Sequence, residues 1–243
     1  MNGKTRLTQA FTAAMALLAT AGSAYAGVVS HTQHPTYALA LFALSAASSR
    51  MKVKLPGING NMSVNLPFLL MAVVNLSAIE AIVIASLSTV VQCWPKFDAS
   101  FKPQQMLFNV SMMAFATCMA SLTLNAGWLV KAAWASQPLT LALATAAFFL
   151  GQITPVAGII KAAEGAAMRR IWLSIAQLSF PYYVVSAGMT SMVNLASRHF
   201  GWQAALVVFP VMYAIHHSYR CYFAKAVEAL GSPPLARAAS VGA

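Results

Sequence analysis

Acidic residues are almost missing. The chain has 243 residues with 4 Asp+Glu against 15 Lys+Arg, and charged residues of both signs reach only 8%. A soluble domain carries about 25%. With 59% hydrophobic residues, polar surface is too scarce to cover a water-soluble globule of this length, so the composition points to a membrane protein. The four acids also offer no carboxylate dyad. Glu80 stands alone in an apolar run, while Asp98, Glu164 and Glu228 lie in or beside the loops and tail.

Cysteine is scarce too. Cys93, Cys118 and Cys221 are odd in number, and no CxxC or Cys/His metal spacing occurs. They read as thiols without a functional role, and no metal or cofactor is expected. There is no Walker loop, no GxSxG and no HExxH, so the expectation is a protein that is not an enzyme. No basic–aromatic stripe suggests a nucleic-acid partner.

What the chain does have is apolar length. Hydrophobic runs cover about 7–29, 35–49, 62–76, 77–94, 105–125, 137–160, 171–194 and 201–222. A full crossing needs about 20 residues, so the second to fourth runs are short: tilted, buried or broken helices. Residues 62–94 are too long for one span and are expected to fold back near "VNLSAIE". The resulting expectation is an all-α, polytopic membrane bundle of about eight transmembrane helices. Residues 1–225 form one integral-membrane domain, and 226–243 form a short disordered cytoplasmic tail.

The cations test this layout. With eight alternating spans and both termini inside, only Lys131 and Arg198 of the 15 cations fall outside. That bias is the positive-inside pattern. Trp94 and Trp172 fall near inner span ends, and Trp128, Trp134 and Trp202 near outer ones, as amphipathic indoles prefer. The first run competes with a signal peptide ending at Ala24-Tyr25-Ala26. Cleavage would leave seven spans. An uncleaved first helix is the favoured reading, because no sizeable exported domain follows.

Several polar residues interrupt the apolar runs. Ser77-Ala78-Ile79-Glu80 fits a capping box, which would put Glu80 in the first turn of the fourth helix. An intramembrane acid is also a functional candidate by default. Asn65, Asn75 and Asn109 need partners in lipid, either as interhelical hydrogen bonds or as walls of a polar pocket. His31 and His34 form at most a weak metal or pH site. His216 and His217 are adjacent and therefore diverge on a helix. Pro155, Pro181 and Pro210 can kink their helices, and "LSFPYYVVSAGMTSM" adds paired tyrosines and small residues, suiting either cavity lining or packing. In "SRMKVKLPGINGNMSVNL", Arg50, Lys52 and Lys54 anchor a cytoplasmic loop, Pro56, Gly57 and Gly60 reverse the chain, and Asn61 or Ser63 is expected to cap the next helix.

"SRMKVKLPGINGNMSVNLPFLLMAVVNLSAIEAIVIASLSTVVQCWPK", followed in order by "LFNVSMMAFA", "LSFPYYVVSAG" and "FGWQAALVVFPVMYAIHHSYRCYF", resembles a bacterial integral-membrane sensor domain. It is the membrane-associated kind usually found ahead of GGDEF diguanylate cyclase or HD phosphohydrolase modules. The resemblance covers about residues 35–225. It implies a non-enzymatic input module in the bacterial inner membrane, multi-pass, with the lipid bilayer as one partner. Its last helix would relay a signal to cytoplasmic output. After about Leu230 no output module follows, so the expected partner is a separate cytoplasmic signalling protein: a diguanylate cyclase, an HD phosphohydrolase or a kinase. The alternative is a component of a small-solute transporter, whose substrate sits where helices break. On either reading Asn65, Glu80 and Asn109 are the candidate ligand-binding residues.

Overall fold

The computed structural model of the chain describes residues 3–29, 35–54, 61–95, 101–130, 136–165 and 167–231. The order is α1 (Gly3–Val29), α2 (Pro35–Ser49), β1 (Lys52–Lys54), β2 (Asn61–Ser63), α3 (Leu66–Asn75), α4 (Ala78–Cys93), α5 (Pro103–Leu124), α6 (Gly127–Val130), α7 (Gln137–Glu164), α8 (Met168–Phe200), a 3₁₀ segment (Gly201–Val207) and α9 (Val208–Gly231). The all-α expectation needs one amendment. Lys52–Lys54 and Asn61–Ser63 pair antiparallel, with Val53 opposite Met62. Among the described residues three helices are long and apolar enough to cross a membrane: Thr5–Val28, Pro103–Leu124 and Gln137–Glu164. α3 and α4 are apolar but shorter, at 10 and 16 residues.

Small residues set the distances between helices. A Cβ added to Gly151 of α7 would lie 3.0 Å from the Ala116 Cα of α5. One added to Gly158 would strike the ring of Phe11 on α1 at 2.8 Å, and one on Gly22 would meet Cys118 Sγ at 2.9 Å. Lipid is as apolar as leucine, so helices in it associate through such close packing rather than by escape from water. α1, α5 and α7 are joined this way. Ala26, the end of the Ala-Tyr-Ala motif, lies inside α1 and is buried in a cluster with Ile82 and Cys118.

α3 is the centre of the core. Every residue from Leu66 to Val73 is buried, and Phe68, Leu69, Leu70 and Met71 are completely so. A helix that is apolar all round has no face to give to water, and here α2, α4, α5 and α8 surround it. The break expected near "VNLSAIE" is present, with Leu76 extended at the end of α3 and Ser77 extended at the start of α4.

α7 and α8 run antiparallel, fastened at both ends. Trp172 donates its indole N–H to Thr154 Oγ1 at 3.3 Å, and Arg198 donates to Gln137 Oε1 at 2.7 Å. Pro155 and Pro181 both lie inside their helices. Pro210, expected inside a helical run, instead falls in the first turn of α9, where a missing N–H costs little. α9 continues to Gly231, so residues 226–231, placed in the tail by the sequence reading, are helical. Residues 232–243, the His31/His34 pair, Pro56, Gly57, Gly60 and Trp134 lie outside the described residues, as do the side chains of Lys54, Trp128 and Trp202.

Candidate functional site

The α3 N-terminus lies deep inside the bundle. Tyr183 O–H donates to Gln152 Oε1, and Gln152 Nε2 donates to Met113 Sδ at 3.5 Å. These three residues sit near the middles of α8, α7 and α5, so they mark one level of the bundle. The neighbouring Tyr182 accepts the Leu66 N–H at 3.1 Å, at that same level. Thr190 Oγ1 reaches the Pro67 carbonyl at 3.3 Å. α3 therefore starts about half-way through the protein. At 1.5 Å per residue it is about 15 Å long, half the roughly 30 Å of a hydrocarbon core.

The capping expected from Asn61 or Ser63 does not occur. Both belong to β2, and the helix begins three residues later, with Asn65 at its N-cap and no side-chain cap bond. The backbone donors are met otherwise. Leu66 uses Tyr182, Pro67 has none, and Phe68 and Leu69 both donate to the Asn65 carbonyl at 3.1 and 3.2 Å. The Leu66, Phe68 and Leu69 N–H groups are thus occupied.

What is left over is the Asn65 side chain. It is 3% exposed, its Oδ1 accepts from Ser63 Oγ at 2.7 Å, and its Nδ2 is buried with no hydrogen-bond partner. Ser63 Oγ also lies 3.3 Å from Gln92 Oε1, near the end of α4. One turn away on α5, Asn109 Nδ2 donates to Cys93 Sγ at 3.3 Å. Arg50 donates to the Trp94 carbonyl at 3.3 Å. The ends of α2, β2 and α4 and the starts of α3 and α5 thus meet in one polar patch. Asn65 and Asn109 belong to it through adjacent residues, Gln92 and Cys93.

Glu80 does not. It forms the capping box with Ser77: Glu80 Oε2 accepts the Ser77 N–H at 3.0 Å and its hydroxyl at 2.7 Å, and the Glu80 N–H returns to Ser77 Oγ at 3.4 Å. Twelve residues separate it from Gln92, about 18 Å along α4. The three candidates therefore occupy two places. Glu80 Oε1 is buried without a partner, but Asn65 does not face it. Asn75, the third asparagine of the apolar runs, bonds back to the Met71 carbonyl at 3.0 Å, within its own helix. His216 is buried and His217 exposed on α9, as adjacent helical residues must diverge. Sequence reasoning marked the Tyr182-Tyr183 pair for cavity lining or packing but missed Gln152, and only the fold brings Tyr182 to α3 and Gln152 to Tyr183.

A family model, MASE9, matches residues 35–221. The chain belongs to the MASE9 family of membrane-associated sensor domains. The match begins at the first residue of α2 and runs into α9, so it contains the whole polar patch, while α1 precedes it. No curated protein and no solved structure matches the chain. The MASE9 assignment agrees with the sensor class that the ordered motifs resemble, and with the apolar helices of the fold.

Proposed function

We propose that this MASE9 chain is a non-enzymatic, multi-pass input module of the bacterial inner membrane, with its input at the Asn65 patch and its output through α9. The single observation that carries the reading is Asn65 Nδ2: an amide donor buried at the centre of the bundle with no acceptor. Leaving such a group unmet costs about 1–3 kcal/mol, so each one calls for a physical account. A small neutral molecule bearing a hydrogen-bond acceptor would satisfy it. The Leu66, Phe68 and Leu69 N–H groups already have acceptors, which disfavours an anion at this helix start.

The path from input to output is short. Asn65 follows β2 directly, β2 pairs with β1, and α9 packs against β1. A ligand that drew Asn65 away from Ser63 would shift β2, and β2 carries β1 with it. Signal transfer requires only that the ligand bind the two arrangements unequally. In this reading α1 is retained as a transmembrane helix. The output is received by a separate cytoplasmic diguanylate cyclase, HD phosphohydrolase or kinase.

A bacterial two-hybrid screen of the full chain against those three classes tests the relay. The expected result is a partner whose reporter signal changes when Asn65→Leu is introduced. No partner, or one indifferent to Asn65→Leu, sinks the proposal. The short, internally starting α3 also suits a solute-binding transporter. Vesicle uptake that responds to Asn65→Ala but with no protein partner would favour that second reading.

A further inference from the structure

The α7–α8 turn carries a cationic depression that the sensor reading does not use. It measures about 540 Å³ and is lined by Arg169, Arg170, Leu173, Ser174 and Gln177 together with Ala167. Both arginines are exposed, and no carboxylate among the described residues pairs with either. They stand in the first turn of α8, the positive end of the helix, where cations are disfavoured unless an anion accompanies them. Trp172, held to Thr154, marks this level as an interface, since indoles prefer the boundary between lipid and water.

The face continues in a telling order. Leu173, Gln177, Phe180 and Val184 follow at helical steps of four, three and four, and all are exposed. Phe180 and Val184 are 58% and 55% exposed. Past Leu173, which lines the depression beside the arginines, charge gives way to hydroxyl and amide and then to bare apolar surface along one side of one helix. That is the order of groups in a phospholipid: phosphate, ester carbonyls, acyl chain.

We infer that this face of α8 binds an anionic phospholipid. The phosphate lies between the Arg169 and Arg170 guanidinium groups, whose planar forks match phosphate oxygens. Ser174 and Gln177 donate to the glycerol ester carbonyls one to two turns deeper. An acyl chain lies on Phe180 and Val184. The inference does not depend on the sensor reading.

Native mass spectrometry of the delipidated full chain in detergent tests it, with phosphatidylglycerol, phosphatidylcholine and soluble glycerol phosphate as probes. Phosphatidylglycerol is expected to bind in preference to phosphatidylcholine. The double variant R169Q/R170Q is expected to weaken phosphatidylglycerol binding about tenfold to thirtyfold, as the loss of a charge-assisted hydrogen bond to the phosphate implies. The charge-matched control K52Q/K102Q, whose lysines do not line the depression, is expected to change it less than about twofold, because exposed charges away from the site are screened. Equal loss in both doubles would reduce the site to bulk charge, and equal binding of both lipids would remove it. Displacement by glycerol phosphate at comparable concentration would make soluble phosphate the ligand and overturn the lipid assignment. If R169Q/R170Q does not fold, R169K/R170K decides. It keeps the charge and loses the fork, so weaker phosphatidylglycerol binding supports the site and unchanged binding overturns it.

Discussion

The phenol oxygen of Tyr182 accepts the backbone N–H of Leu66 at 3.1 Å, across 116 positions of sequence. α3 has no side-chain cap of its own, so this bond supplies the partner that the helix start lacks. Tyr182→Phe should leave a buried N–H unmet and destabilise the protein by about 1–3 kcal/mol. Thermal melting in detergent measures it. A change below the scatter of the assay would show that water reaches Leu66.

Asn65→Leu should act in the opposite sense. It removes the unpartnered Nδ2 with the same number of side-chain heavy atoms, and Ser63 Oγ, which loses Asn65 Oδ1, keeps Gln92 Oε1 as an acceptor. A gain of stability of about 1 kcal/mol is expected, together with loss of signal-dependent output, the usual exchange where a strained site serves function. If Asn65→Leu is less stable than the parent, the amide is structural and the patch is not an input.

The capping box gives a separable result. Ser77→Ala should cost about 0.5–2 kcal/mol, the range for lost N-caps. Glu80→Gln keeps an acceptor for Ser77 and should cost less. Because Glu80 lies at the far end of α4 from Asn65, neither change should alter output. A strong functional effect of Glu80→Gln with unchanged melting would return Glu80 to the ligand site.

The glycine contacts differ in what stands opposite. Gly151→Ala places a Cβ against the Ala116 backbone, which cannot swing away, and should cost about 1–3 kcal/mol as overpacking does. Gly158→Ala meets the far edge of the Phe11 ring, which a small side-chain rotation relieves, so the penalty should be smaller. Parallel melts of the two variants check the order.

Much of this architecture was legible. The apolar runs anticipated α1, α2, α4, α5 and α7 to within a few residues, and Ser77-x-x-Glu80 announced its own capping box. These features depend on neighbours within a turn or two. The start of α3 was not legible, because the side chain serving it, Tyr182, comes from another helix. The pairing of β1 with β2 was hidden for a similar reason: Lys-Val-Lys and Asn-Met-Ser are too short and polar to look like strands. Among the candidate residues, sequence separated the polar from the apolar correctly. It could not say that Asn65 and Asn109 share an end of α4 while Glu80 occupies the other, since that is a matter of how residues 62–94 fold back.

The contacts of Gly22 and Gly158 bear on how the family's boundary is used. The MASE9 match starts at residue 35, yet the side of α5 and α7 that α1 covers is cut to receive it, with Cys118 filling the space over Gly22 and Phe11 lying in the notch at Gly158. A chain shortened to begin at Pro35 would carry that notch open to lipid. The first helix therefore fills a groove in the matched region, and exchanging it for another apolar helix with glycine and phenylalanine at the same two heights should restore the bundle.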